Sequence, residues 1–102
     1  MALFNINNDK VISLIRRRML QVWVHSYIYY CLNDNVISDA KWTKWAKELA
    51  ELIKKYPKEF KSIRHYEIFE GFTGDTGFDI AQKATPRLIS KAYYLLGRLG
   101  KE

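Results

Sequence analysis

The sequence predicts an all-α fold, a small domain of three to four helices built on a helical hairpin. Apolar residues recur at steps of three and four in three stretches of the chain, which is the spacing of a helix face packed on a core. Between those stretches lie short segments rich in Asn, Asp, Gly and Pro, residues that favour turns. The 102 residues are 48% hydrophobic, which is enough apolar surface for one domain, residues 1–102, with its own core.

The first helix is predicted over residues 9–32. Residues 7–9 are Asn, Asn and Asp, whose side chains cap helix N-termini. Apolar residues then follow at helical spacing, namely Val11, Leu14, Ile15, Met19, Val22 and Trp23. His25 is interpreted as a polar interruption of this helix. Residues 33–35, Asn-Asp-Asn, are expected to end it because their short polar side chains compete for backbone hydrogen bonds.

The second helix completes a hairpin over residues 9–56. Ser38 is the expected N-cap, and Asp39 would lie in the first turn, where a carboxylate meets the positive end of the helix dipole. One face of this helix is apolar, and its members are Trp42, Trp45, Ala46, Leu49, Leu52, Ile53 and Tyr56. We assign Trp45 to the core, interpret the charged opposite face as solvated, and expect Pro57 to end the helix.

The last third of the chain is predicted to hold a short helix or turn at about 59–70 and a loop over 71–84. The loop prediction rests on three glycines that favour turns, Gly71, Gly74 and Gly77. A final helix is expected over 85–99, because Pro86 suits a first helical turn after Thr85. Its apolar stripe is Leu88, Ile89, Ala92, Leu95, Leu96 and Leu99.

The single cysteine suits a reducing cytoplasm, and the hydropathy favours a buried helix over a membrane span. Cys31 is alone, which excludes a disulfide within the chain and a thiolate zinc cluster. The apolar run from Met19 to Leu32 is shorter than the roughly 20 residues that span a bilayer, and it contains Gln21 and Ser26. A buried core helix is therefore expected.

The net charge of +6 favours acidic partners, either nucleic acid or an acidic protein surface. A candidate basic surface comprises eight residues, Arg16, Arg17, Arg18, Lys54, Lys55, Lys58, Lys61 and Arg64. Solubility and local ion pairs explain the same residues as well as phosphate binding does.

Motifs for catalysis and metal binding are absent or incomplete. The tripeptide Asp75-Thr76-Gly77 resembles that of aspartic proteases, but their chemistry needs β-hairpins, so a structural turn is the expected role. His25 and His65 have no carboxylate or second histidine at ligand spacing. Nucleophile elbows, phosphate-binding loops and dinucleotide-binding glycine patterns are missing, so we expect no catalytic site and no metal.

The turn between the two hairpin helices is the candidate binding site. It brings Tyr29 and Tyr30, at the end of the first helix, close to Asp39 and Trp42 at the start of the second. Two aromatic faces beside a carboxylate suit a pyridinium ring or a sugar with free hydroxyls. The alternative is that these aromatic residues belong to the core.

The stretch "YYCLNDNVISDAKWTKWAKELAELIKKYP", residues 29–57, resembles the N-terminal helical (Ia) domain of bacterial NAD-dependent DNA ligases. That family has a tyrosine-rich helix end, a turn closing in (Ser/Pro)-Asp-Ala-x-Tyr-Asp, and a Glu-Leu-rich helix that ends before Pro. The whole chain, with "FEGFTGDTGFD", also resembles small stand-alone ligase-related proteins carried by bacteriophages.

The resemblance implies a helical hairpin that holds the nicotinamide mononucleotide half of NAD. By position, Tyr29 and Asp39 match a family tyrosine and aspartate, and Trp42 stands where a tyrosine stacks on nicotinamide. Thr43 replaces a second aspartate that contacts the nucleotide, and Tyr30 replaces a frequent histidine. The Lys-x-Asp-Gly motif that forms the adenylated lysine is missing, so the chain is not expected to be a ligase by itself.

Two hypotheses follow. In the first, the chain is a non-catalytic phage-type module that needs no cofactor and binds NAD or nicotinamide mononucleotide as a ligand. In the second, the pocket is lost, as the residues at Trp42 and Thr43 suggest, and the basic surface binds a host or defence-system protein, or nucleic acid. A third possibility is an accessory to a separate ligase core.

Overall fold

Five α-helices and one 3-10 helix form the part of the chain that the structure, a computed structural model, describes: residues 2–97, with side chains from residue 9 onward. In chain order the helices are α1 (Ala2–Cys31), α2 (Asp39–Lys55), α3 (Pro57–Lys61), the 3-10 helix (Tyr66–Phe69), α4 (Phe78–Ala81) and α5 (Pro86–Leu95). Residues 2–97 contain no strand, and the all-α prediction is confirmed.

α1 is longer than predicted, because it begins at Ala2 and the expected cap residues 7–9 lie inside it. Its end agrees with the sequence. The backbone N–H groups of Leu32 and Asp34 both donate to the Ile28 carbonyl, at 3.2 and 3.1 Å, and Asn33 has a φ of 54°. Asparagine tolerates this left-handed conformation, in which the backbone N–H groups that follow the helix can bond its last free carbonyls. None of the helices in residues 2–97 is long and apolar enough to cross a membrane.

The N-termini of α2 and α5 form as their sequences predict. The Ser38 hydroxyl accepts a hydrogen bond from the Lys41 backbone N–H at 3.1 Å, and the Thr85 hydroxyl accepts one from Leu88 at 3.2 Å. Pro57 does more than end α2, since it is the first residue of α3, a position where its missing N–H costs nothing.

α1 lies at the centre of the fold and packs against α2, α3, α4 and α5. Its buried side chains are Ile15, Met19, Val22, Trp23, Val24, Ser26 and Ile28. Trp23 is 6% exposed, and its indole N–H donates to the Ile80 carbonyl at 2.8 Å, which fastens α4 to α1. Leu49 of α2, Phe60, Phe69 and Leu88 complete the core around this helix.

The glycine-rich segment predicted as a loop over 71–84 contains the short helix α4. Ile80 and Ala81 are buried, and the Ala81 N–H bonds to the Gly77 carbonyl at 3.0 Å. Four residues carry no helical periodicity, so burial against α1 stabilises this turn rather than local propensity. α5 ends at Leu95, earlier than the predicted residue 99, and residues 98 and 99 lie outside the described residues.

Trp45 is partly buried and packs against the core cluster from its edge. Its ring lies under two cations, with the Arg18 guanidinium carbon 5.9 Å and the Lys41 ammonium nitrogen 5.6 Å from the ring centroid. Helical spacing identified the face of α2 correctly, but Trp45 lies near the edge of that face, where charged side chains cover it.

Candidate functional site

A cavity of about 310 Å³ lies at the closed end of the hairpin, between the end of α1, the start of α2 and the glycine-rich segment. All five residues predicted to bind a ligand line it: Tyr29, Tyr30, Asp39, Trp42 and Thr43. The remaining lining residues are His25, Ser26, Asn35, Val36, Ile37, Ser38, Asp75 and Thr76. The alternative that Tyr29 and Tyr30 are core residues fails, because they are 49% and 39% exposed.

The two tyrosines form one wall of the cavity. Their rings meet edge to face with centroids 4.9 Å apart, and Tyr30 makes a second such contact with Phe78 at 5.5 Å. The Tyr30 hydroxyl also lies 3.1 Å from Thr76 Oγ1. Tyr30 is thus held from two sides, whereas Tyr29 has Tyr30 as its aromatic neighbour and remains half exposed beside the cavity.

Trp42 forms the floor, and its orientation is fixed by a buried serine of α1. The indole Nε1–H donates to Ser26 Oγ at 3.1 Å, and the Ser26 hydroxyl donates to the Val22 carbonyl at 2.6 Å. Gly77 packs directly on this pair, because a Cβ at that position would lie 2.7 Å from Ser26 Cβ and 3.0 Å from Trp42 Cζ2. Only glycine permits this close approach.

The glycine-rich segment supplies a third wall that the sequence reasoning missed. Asp75 and Thr76 line the cavity, and Lys47 of α2 forms an ion pair with Asp75 at 2.7 Å. Hydrogen bonds from Lys47 and from Thr73, followed by the charge of Lys47, lower the pKa of the Asp75 carboxyl. The expected structural turn at 75–77 is therefore also part of the cavity, and the signal available in the sequence was the close spacing of Gly74 and Gly77.

The start of α2 contributes the polar groups opposite the tyrosines. Asp39 and Thr43 lie one helical turn apart, and both are exposed. With Asp75, Asp39 gives the cavity two carboxylates from two different segments. Carboxylates accept hydrogen bonds from hydroxyl groups and attract a cationic ring, and aromatic faces do the latter as well.

His25 is a second lining residue that was not predicted as part of the site. Its Nδ1 is buried and has no hydrogen-bond partner among the described residues. Burial, and then the positive charge of Lys41, lower the pKa of this imidazole, so the neutral form is favoured at neutral pH. A neutral imidazole offers one donor and one acceptor to a ligand.

Ser26 lines the cavity with a hydroxyl that is already engaged. Ser26, the lining serine of α1, uses its hydroxyl to hold a backbone carbonyl, so it lacks the base that activates a nucleophile. The described residues contain no group of three or more His, Cys, Asp or Glu side chains placed to hold a metal ion.

The residues of the predicted basic surface lie on α1, α2, α3 and the segment that follows α3. Arg16 and Arg64 line a common groove, whereas Arg17 lies beside Asp9 and Lys10 on another part of α1. Arg18 faces α2 and pairs with Glu48 at 3.2 Å. The four lysines of the set, Lys54, Lys55, Lys58 and Lys61, are exposed on the consecutive helices α2 and α3.

Tyr29, Asp39 and Trp42, which were matched by position to the ligase domain, share one cavity with Tyr30 and Thr43. Comparison of the chain with protein-family models, with curated proteins and with solved structures gave no match.

Proposed function

We propose that the chain is a non-catalytic binding module of the phage ligase-related type whose hairpin cavity takes the nicotinamide mononucleotide moiety, free or as part of NAD. The observation that carries this proposal is the convergence of Tyr29, Asp39 and Trp42 on one cavity that also holds a second carboxylate. In this arrangement the nicotinamide ring lies between Tyr29 and Trp42, and Asp39 accepts hydrogen bonds from the ribose hydroxyls.

The size and polarity of the cavity support a mononucleotide. Its volume of about 310 Å³ is at the lower end of the roughly 300–1,000 Å³ typical of ligand sites, so the adenylate half of NAD would remain outside. Aromatic faces and the carboxylate of Asp39 favour the positively charged pyridinium ring over a neutral base, whereas Lys47 offsets the charge of Asp75. Trp42 is already oriented by Ser26, which reduces the entropy lost on binding.

Titration calorimetry with nicotinamide mononucleotide and with NAD tests the proposal. Binding is expected for both, and Asp39→Ala should abolish it while the helical circular dichroism spectrum stays unchanged. Asp79→Ala, an exposed carboxylate outside the cavity lining, is the matched control and should bind like the parent protein. Absence of heat at millimolar ligand in the parent protein would refute the pocket.

A gain of affinity provides an independent test. Thr43 lines the cavity at the position where the resemblance implies an aspartate. Thr43→Asp should therefore tighten nicotinamide mononucleotide binding by about tenfold, the effect of one hydrogen bond to a charged group. Thr43→Asn introduces a side chain of the same size as aspartate but without its charge, so it should change the affinity much less. Equal affinities for the two variants would contradict the proposed pose.

A second candidate function is phosphate binding through the exposed lysines of α2 and α3, which cluster on consecutive helices. Binding to duplex DNA should then weaken by about 0.9 log units per phosphate contact for each tenfold increase in salt. Sequence preference should be slight, since phosphate contacts do not read bases. Changing Lys54, Lys55 and Lys58 together to glutamate should abolish binding in a gel-shift assay at two salt concentrations. Retained binding would remove these lysines from the interface.

A further inference from the structure

We infer that the protein has a second binding site, a groove between α1, the segment at residues 63–65 and α5, which docks an acidic amphipathic helix of a partner protein. The groove has a volume of about 660 Å³, roughly twice that of the hairpin cavity, and shares no lining residue with it. The inference is therefore independent of the proposed nucleotide pocket.

The floor of the groove is apolar. Met19 and Trp23 of α1, Ile63 and Leu88 form it, and each of them is at most 6% exposed, so the floor is rigid and already packed. Leu20 rises at its edge with 38% of its surface exposed. Together with the floor, Leu20 forms the apolar lining that the apolar side chains of a partner would contact.

The rim of the groove is positively charged from both sides. Arg16 lies on α1, Arg64 on the segment before the 3-10 helix, and Arg87 and Lys91 on α5 one turn apart. All four are exposed, and none of the described residues that line the groove is acidic. The salt bridges within residues 9–97 involve other cations, Arg18 and Lys47, so these four charges lack an acidic partner among the described residues.

Apolar floor and cationic rim together specify the occupant. An amphipathic helix inserts apolar residues at positions i, i+3/i+4 and i+7 into such a groove, and glutamates or aspartates beside them meet the rim. A single-stranded nucleic acid bound by base stacking would need exposed aromatic faces, whereas the Trp23 indole is almost fully covered and its N–H donates to the Ile80 carbonyl. Charge complementarity thus favours an acidic peptide.

Fluorescence anisotropy with designed peptides tests this inference. Three labelled peptides of about 18 residues are compared: leucines at helical spacing with glutamates elsewhere, the same leucines with lysines, and the glutamates with serines in place of leucines. The acidic leucine peptide should bind at least about tenfold more tightly than either of the others. Failure of that peptide to saturate by about 1 mM would overturn the inference, as would equal binding of the serine peptide.

Charge reversal locates the site. Arg87→Glu combined with Lys91→Glu should weaken binding of the acidic leucine peptide at least about tenfold. Lys10→Glu combined with Lys44→Glu makes the same change in net charge outside the groove and should have a small effect. Equal losses in the two variants would mean that only net charge matters, which would refute the groove as the binding site. If a single-stranded oligonucleotide competed with the peptide for the same residues, the occupant of the groove would be a nucleic acid and not an acidic helix.

The three tryptophans provide a direct readout, because each contributes one indole N–H signal to a nitrogen-15 correlation spectrum. Trp23 lies in the groove, and Trp42 lies in the hairpin cavity. The acidic peptide should shift the Trp23 signal and leave that of Trp42 in place. A shift confined to Trp42 would show that the peptide binds at the hairpin cavity, and it would refute the groove as the docking site. That result would not test nucleotide binding.

Discussion

Replacement of Gly77 by alanine tests how the glycine-rich segment is packed against the hairpin. The backbone φ of Gly77 is −107°, which alanine adopts without strain, so its effect should come entirely from the side chain. The added Cβ would lie 2.7 Å from Ser26 Cβ, 3.0 Å from Trp42 Cζ2 and closer still to the Ser26 hydroxyl. Carbon atoms in contact normally stay roughly 3.5–4.0 Å apart, so Ser26 or the whole segment must move.

The expected cost follows from these contacts. Overpacking of a buried site costs about 1–3 kcal/mol, and loss of the hydrogen bond from Trp42 to Ser26 adds about 1 kcal/mol. Gly77→Ala should therefore lower the free energy of unfolding by about 2–4 kcal/mol, measured by urea denaturation. Gly71→Ala is the control: a Cβ there meets nothing within 4 Å, but the φ of +81° adds strain of about 1 kcal/mol.

A double-mutant cycle isolates the clash. Ser26→Gly removes both Ser26 atoms that the new methyl group would meet, so Gly77→Ala should cost less than about 1 kcal/mol in that background. Gly77→Ala could instead lower the free energy of unfolding by under about 0.5 kcal/mol in the parent protein, or by the same amount in both backgrounds. Either result would mean that Gly77 does not approach Ser26 closely.

Three further predictions concern α1 and α5. Trp23→Ala should cost about 3–5 kcal/mol in urea denaturation, because it opens a cavity and leaves the Ile80 carbonyl without its donor. Thr85→Ala should cost about 1 kcal/mol, the typical loss of an N-cap, and Thr85→Ser should restore most of it. For His25, burial and Lys41 lower the folded-state pKa below 6.5, so the unfolded chain binds the proton more readily and stability should fall as pH drops below about 6.5, levelling off below the folded-state pKa.

Each of these predictions has a result that would contradict it. A loss below about 2 kcal/mol for Trp23→Ala would place that ring outside the core. If Thr85→Ser lost as much stability as Thr85→Ala, the methyl group of Thr85 and not its capping hydroxyl would account for the loss. His25→Gln should remove part of the difference in stability between pH 7.5 and pH 5.5, and an unchanged difference would assign it to other groups.

The sequence predicted those features that depend on neighbouring residues. Ser38 was identified as a cap because capping is a bond between a side chain and a backbone N–H three residues away. The hairpin also followed, since its turn residues and the periodicity of both helices are local. Tyr29, Asp39 and Trp42 came together because the hairpin itself brings them together.

The sequence did not reveal contacts that join distant segments. The Tyr30 hydroxyl and Thr76 are 46 residues apart in sequence, and no periodicity connects them. No pattern in the sequence connected Arg87 and Lys91 with Arg16, which line the same groove in the fold. Residues 78–81 looked like loop because the burial that makes them helical is provided by α1.

The three-sided construction of the cavity has a consequence for how it arises during folding. Its walls come from the end of α1, the start of α2 and residues 75–76, so the isolated hairpin would hold only two of them. A ligand that contacts all three walls binds the complete fold and not its parts, and it therefore raises the free energy of unfolding by RT ln(1 + [L]/Kd). Thermal denaturation with added nucleotide would report occupancy, and a shortened chain ending after α2 should show no such shift, however well its two helices form.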